Sequence, residues 1–204
     1  IFLPNGVDPD RFKAGDGEGF RSKYQISSSS TLLITIGRID PQKNQRFGIN
    51  ILDVLKKSGS DVHMALIGHV TNDVYFESLK QDIQHLGLEN DVTIIPGIPP
   101  GSQALVDAYH AADIFFLPSL HEPFGIVILE AWAAGLPVIA SRVGGIPSFV
   151  ENDLDGLLFE PGSLEQGLKA IRALMTNIDK RKKIAEAGQI KATKQYSWDR
   201  ITND

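Results

Sequence analysis

From Thr31 onward the chain alternates short β-branched or apolar runs with longer stretches whose apolar residues recur at helical spacing. That alternation is the mark of βα units feeding a parallel sheet. The apolar runs predict strands at Thr31 to Ile36, Val62 to Ile67, Val92 to Ile95, Ile114 to Leu117, Val138 to Ser141 and Leu157 to Phe159. Between the first two, Phe47, Ile51, Leu52 and Leu55 share one helical face, and Lys56-Lys57 followed by Gly59 supplies the cations and the cap that end a helix. Leu79, Ile83 and Leu86 before Gly87 repeat the arrangement. Ser102 is placed to cap a helix carrying Leu105, Val106 and Tyr109, and Ser163-Leu-Glu-Gln166 reads as a capping box for the next. Beyond it the pattern is all helical: Leu168, Ile171, Leu174 and Met175 form one apolar face, and Lys180-Arg-Lys-Lys183 is the solvated side of a following helix. The four serines Ser27 to Ser30 read as a surface loop. The class is therefore α/β, a parallel sheet wound with helices on both faces.

The 204 residues suffice for one large domain with a sizeable core, and 42% hydrophobic with 22% charged residues excludes collagen-like and disordered readings. Twenty Lys and Arg against 25 Asp and Glu leave a net charge of −5, which argues against a bulk nucleic-acid or anionic-membrane surface while leaving room for a local basic pocket. There is no cysteine, hence no disulfide and no Cys-based metal site or nucleophile; this fits a reducing cytoplasm, where the reading places the protein. The longest apolar runs are too short to span a bilayer. The opening Ile1 to Asp8 has no signal-peptide character, and Leu3-Pro4-Asn5-Gly6 reads as a strand end running into a turn, as in the middle of a longer protein.

In a doubly wound sheet, ligands sit beyond the carboxyl ends of the strands, and here the loops after the predicted strands collect glycines and charges. Arg38 and Lys43 follow the first strand just before a helix expected to start near Asn44; a guanidinium fork, an ammonium and a helix N-terminus suit a diphosphate. Gly37 lets backbone approach closely, though two ordinary surface cations are the plainer interpretation of this pair alone. The Walker string Gly-x4-Gly-Lys-Ser/Thr is absent. The segment Glu122-Pro-Phe-Gly-Ile-Val-Ile-Leu-Glu130 says more. Pro123 biases Glu122 away from the α region, so a helix should begin near Phe124 or Gly125 with Glu122 in the loop ahead and Glu130 on its second turn. The amides of Gly125, Ile126 and Val127 are then open donors for phosphate oxygens, and Glu130, set among Ile128, Leu129, Ala131 and Trp132, needs a ligand or partner to offset burial. His63, His69, His85, His110 and His121 show no metal-ligand spacing, Asp40 and Asp113 read as structural, and Phe115 and Trp132 as core.

Gly37-Arg38 with Lys43, Glu122-Pro-Phe-Gly-Ile-Val-Ile-Leu-Glu-Ala, Gly135-Leu-Pro-Val-Ile-Ala-Ser141 and Gly144-Gly-Ile-Pro, taken in order, resemble the C-terminal, donor-binding domain of group 1 retaining glycosyltransferases, across roughly Leu3 to Tyr196. The resemblance implies the Rossmann-like C-terminal half of a two-domain GT-B enzyme. It further implies that Arg38 and Lys43 hold the diphosphate of a UDP-, GDP- or ADP-linked sugar and stabilise the charge growing on it. Glu130 would take the ribose hydroxyls, and Glu122 the sugar, beside the amides of Phe124 to Val127. Gly97 to Pro100 and the region of Leu105 would face the base. Neither metal nor other cofactor is expected. The acceptor would be held by the protein's own N-terminal domain, absent here, through which alone membrane association would arise, and this chain by itself would not turn over.

On that reading residues 1–30 are the end of an interdomain segment and a lead-in loop, 31–196 the nucleotide-sugar domain, and 197–204 the start of a segment returning to the other domain, with Trp198 covering a partly orphaned surface. Three other functions stand beside it. A glycoside hydrolase using Glu122 and Glu130 as acid and base is disfavoured by the helix geometry and has no use for a diphosphate clamp. A nucleotide-sugar epimerase of the same fold and a non-catalytic interaction module are the remaining two.

Overall fold

The computed structural model describes residues 5–203; Leu3 and Pro4, assigned above to a strand end, lie outside the described residues. Six strands, β1 (Thr31–Ile36), β2 (Val62–Gly68), β3 (Val92–Pro96), β4 (Ile114–Leu117), β5 (Val138–Ser141) and β6 (Gly156–Phe159), form one parallel sheet in the order β3-β2-β1-β4-β5-β6. Each strand falls within a residue of its predicted limits. The chain winds outward from β1 in one direction and from β4 in the other, so the order reverses between these two central neighbours.

Period-2 alternation sends successive side chains to opposite faces. Leu32, Ile34 and Ile36 of β1 join one core with Phe115 and Leu117 of β4, while Leu33 joins the other with Phe116. Thr35, the polar residue within β1, donates its hydroxyl to the Phe116 carbonyl at 2.6 Å and so costs the core no unmet bond. The first face is covered by α1 (Gly17–Lys23), α4 (Gln103–Ala111) and α5 (Ile126–Ala133), the second by α2 (Gln45–Lys57), α3 (Asp73–Leu86) and α6 (Leu164–Thr176). On the second face the rings of Phe47, Phe116 and Phe159 stack with centroids 5.6–6.4 Å apart. Helix α7 (Ile178–Gln195) gives Ile184 to one core and Ala192 to the other, and α8 (Trp198–Asn203) follows it.

The helix ends follow from local chemistry. Beyond α2 and α3, Gly59 (φ 80°) and Gly87 (φ 68°) take the left-handed conformation, with paired return bonds Ser60 to Leu55 and Gly59 to Lys56, then Leu88 to Ile83 and Gly87 to Gln84. Two caps differ from expectation. Ser102 precedes α4 but turns its hydroxyl back to the Pro99 carbonyl (2.8 Å), closing the loop instead of capping the helix. Ser163 does cap α6, accepting from the Gln166 amide (3.4 Å), but Gln166 Oε1 accepts from the Glu160 amide (2.9 Å), so the reciprocal half of the box is missing. Residues 15–30, the least patterned stretch, are organised by Arg21, which donates to the carbonyls of Ala111, Ser27 and Ser30 and pairs with Asp113 at 2.8 Å. Asp113 also receives the Leu32 amide, confirming its structural part.

The tail returns to the start of the domain: Val7 donates to Tyr196 O, and Trp198 donates to Val7 O, with the indole lying over Gly6. Helix α7 comes close to α5 at Gly188, where an added Cβ would overlap the fully buried Trp132 ring. We expect Gly188→Ala to cost about 1–3 kcal/mol by overpacking, lowering the melting temperature by about 2–4 °C per kcal/mol in a domain of this size; a thermal melt followed by circular dichroism reads it.

Candidate functional site

The carboxyl ends of the strands are stitched together backbone to backbone. The Gly37 amide donates to Ile67 O, Ile39 to His69 O, and Gly97 to Gly68 O, joining the loops after β1, β2 and β3. Across the reversal point, Leu120 N donates to Gln42 O at 2.7 Å, joining the loops after β1 and β4, and Gly145 N donates to Glu122 O at 3.0 Å, joining those after β4 and β5. Such close approach depends on glycine. A Cβ on Gly68 would overlap the Gly37 carbonyl, and Cβ atoms on Gly144 (φ 53°) and Gly145 would overlap the carbonyls of Glu122 and Pro123. The Gly144-Gly145 pair thus acts through its lack of side chains, letting the loop after β5 press Glu122 into place.

At this junction Lys43 Nζ and Glu122 Oε2 form an ion pair. Their side chains are only 14% and 9% exposed, so two groups expected to serve different parts of a ligand meet each other. Arg38 stands at the rim, its side chain 56% exposed, 3.3 Å from Asp40 Oδ2 and 3.4 Å from Gln42 Oε1. Asp40 accepts from the Gln42 and Lys43 amides and so shapes the turn that carries both cations. Asn44, left-handed at φ 53°, heads α2, as expected.

Helix α5 begins at Ile126, with Gly125 (φ 101°) before it making no side-chain cap. Glu122 is in the loop ahead and Glu130 on the second turn, as the Pro123 argument requires. The first amides of the helix, Ile126 and Val127, have no carbonyl one turn earlier to receive them. The Phe124 ring stacks on Phe149 with centroids 4.7 Å apart. Glu130 Oε2 receives the Tyr109 hydroxyl at 2.8 Å, the partner its apolar setting called for. Burial raises the Glu130 carboxyl above the usual range, while the Tyr109 bond and the charge of Arg11 pull it down. Arg11, from the 3-10 turn Asp10–Phe12, reaches the Pro100 carbonyl and thereby links the lead-in segment to the loop after β3.

Gly97 is exposed and left-handed (φ 82°) in that loop, and the Leu105 side chain is 4% exposed, within the first core. Phe115 and Trp132 are fully buried, as expected, with Trp132 Nε1 donating to Asp155 O. His121 and His69 are exposed, His110 bonds Phe12 O, and His63 meets Thr93 Oγ1. No group of three or more His, Asp or Glu among the described residues is arranged to hold a metal ion. A cavity of about 410 Å³ lies elsewhere, beside α7 and the lead-in segment, and is lined by Asp8, Lys13, Gln189, Ile190 and Lys194 among others.

Sequence reasoning missed Arg11, whose importance comes from a contact across the fold, and the buried hydroxyls of Ser119 and Ser141, which have no hydrogen-bond partner. Ser119 and Ser141, with Gln45 Oε1, are the buried unpaired side-chain atoms among the described residues, and all three lie at this same edge. Unmet polar atoms tend to concentrate where a structure is shaped for a task other than stability. The signal for Tyr109 was present: a hydroxyl on an otherwise apolar helix face.

The profile of the family "Glycosyl transferases group 1" matches residues 16–191. The chain belongs to the group 1 glycosyltransferases. Among its relatives is the GDP-mannose-dependent alpha-(1-6)-phosphatidylinositol monomannoside mannosyltransferase of Mycobacterium tuberculosis, 30% identical over 98% of this chain and 53% of its own length. The crystal structure of HepE from Anabaena in complex with UDP-glucose superposes with a TM-score of 0.90 at 27% identity, over 98% of this chain and 54% of that one. The C-terminal domain of LpcC, a group 1 family protein from Francisella tularensis, matches 95% of this chain and 100% of its own at 29% identity and a TM-score of 0.79. The chain spans about half the length of the curated relatives it matches. This glycosyltransferase domain therefore has the Rossmann-like fold of the C-terminal half of a GT-B enzyme. Among its described residues no helix is long and apolar enough to cross a membrane.

Because burial raises the folded-state pKa of Glu130, its folded form binds a proton more readily than its unfolded form. That stabilising contribution is full below the unfolded pKa and is lost as pH rises through the folded one. We expect Glu130→Gln to melt a few degrees above the native domain at neutral pH, the gap narrowing as pH falls toward the carboxylate range, in melts recorded across a pH series.

Proposed function

We propose that this domain binds the nucleotide-diphospho-sugar donor of a retaining glycosyltransferase that moves a hexosyl group to an acceptor held by a separate N-terminal domain. The observation that carries the reading is the Lys43–Glu122 pair at the reversal point of the sheet, with Arg38 at its rim and the open start of α5 beside it. Open α/β sheets bind ligands at that crevice. Family membership favours transfer over the hydrolase and epimerase alternatives.

In this reading an incoming diphosphate draws Lys43 from Glu122, joins Arg38 and the amides of Ile126 and Val127, and leaves Glu122 to accept from sugar hydroxyls. Glu130 accepts from the ribose. As the bond between the anomeric carbon and the phosphate oxygen breaks, its electron pair stays on the phosphate, where the two cations stabilise it. The acceptor oxygen bonds the anomeric carbon on the same face and its proton passes to the departing phosphate. The cations supply the positive charge, and no metal is called for. The nucleoside diphosphate is UDP, GDP or ADP: HepE is described with UDP-glucose, the mycobacterial relative with GDP-mannose. Without a second domain to exclude water and position the nucleophile, the chain alone binds without turnover.

Calorimetry with UDP, GDP and ADP at millimolar concentration is expected to show binding of at least one; no heat from any would overturn the proposal. Arg38→Ala should weaken that binding about tenfold, the scale of one charged hydrogen bond, with an unchanged melting temperature because the side chain is half exposed. Lys43→Ala should lower both affinity and stability, the latter by about 1–3 kcal/mol, since it strands Glu122, whose side chain is only 9% exposed.

A further inference from the structure

Tyr109 lies fully buried near the end of α4, edge-on to Phe12 with ring centroids 5.5 Å apart and tilted against Phe115 at 5.9 Å. A phenylalanine would fill that space without burying a hydroxyl, a group that is costly in an apolar setting unless bonded. The hydroxyl therefore acts through its bonding partner. Val127 O, 3.5 Å away, is too distant for a firm bond, whereas Glu130 Oε2 receives it at 2.8 Å. The terminal torsion of a glutamate is broad, so a carboxylate held at neither oxygen would swivel. Here one oxygen is held by a phenol that is itself clamped between two rings, and Oε1 accepts no bond from any described residue. Arg11 adds positive charge nearby while its guanidinium is engaged by Pro100 O.

We propose that Tyr109 is the positioning residue for ribose recognition: by holding Oε2 of Glu130 it fixes the carboxylate plane and presents Oε1 to the vicinal hydroxyls of the nucleotide. The inference rests on the reading above that Glu130 takes the ribose. Preorientation removes the cost of freezing the carboxylate on binding, so its benefit is confined to ligands that carry the hydroxyls.

The test is calorimetry on the 204-residue chain with whichever nucleoside diphosphate binds best and with its 2′,3′-dideoxy analogue, reading the ratio of the two dissociation constants. The native chain is expected to prefer the ribonucleotide by about tenfold, equivalent to about 1.4 kcal/mol. Glu130→Gln should abolish that preference. Tyr109→Phe should reduce it at least about threefold, about 0.65 kcal/mol, while leaving affinity for the dideoxy analogue unchanged. If Tyr109→Phe weakens both ligands equally or alters neither, the hydroxyl is only structural and the proposal fails while the ribose assignment stands. A preference that survives Glu130→Gln overturns the ribose assignment and the proposal together. Should Tyr109→Phe fail to fold, Tyr109→3-fluorotyrosine, a stronger donor of nearly the same shape, should raise the ratio; an unchanged ratio then overturns the proposal.

Discussion

The loop carrying Glu122 meets the loop after β5 main chain to main chain, the Gly145 amide meeting the Glu122 carbonyl at 3.0 Å where no Cβ could stand. The same contact type recurs where Gly68 lies against Gly37. A parallel sheet brings its carboxyl ends together, but side chains would hold the loops apart. Omitting those side chains lets five loops merge into one continuous shelf, and that merger brings Lys43 and Glu122 together. Glycine acts here as a means of bringing two main chains into contact, and only at some of these positions as a source of unusual torsion angles.

Onto this shelf the fold sets groups that do not favour its own stability. Glu122 and Glu130 are both withdrawn from water, each offset by a single strong partner, Lys43 and Tyr109 respectively. Three further buried polar atoms have no partner and lie along the same edge. The apolar layers on either side, with the stacked phenylalanines of one and the Trp132 cluster of the other, are conventionally packed and can bear this cost. Two kinds of energetic accounting therefore coexist in one domain, a satisfied interior and a frustrated rim.

Most of the fold was legible because alternation and helical spacing are local properties: all six strands fell close to their predicted limits, and the left-handed glycines after α2 and α3 sit where Gly59 and Gly87 announced them. The site was legible in part, since Pro123 dictates where α5 can begin and Glu130 stood out as a carboxylate in an apolar run. What escaped were partnerships between residues far apart in the chain. Nothing near Lys43 points to Glu122, 79 positions away, and nothing near Arg11 points to Pro100. The caps at Ser102 and Gln166 were misread for a related reason: a serine or glutamine signals a local bond but not which neighbouring carbonyl or amide will win it.

The aromatic contacts around Phe124 extend beyond the mouth of the site. Phe124 stacks on Phe149, both approach Tyr196 at the end of α7, and the Tyr196 carbonyl holds Val7 of the lead-in segment. The tail and the rim are therefore joined by one run of packed rings. The loop that bears Glu122 and both terminal segments are thus packed as one layer, so the rim of the candidate site is built in part from residues at the two ends of the domain.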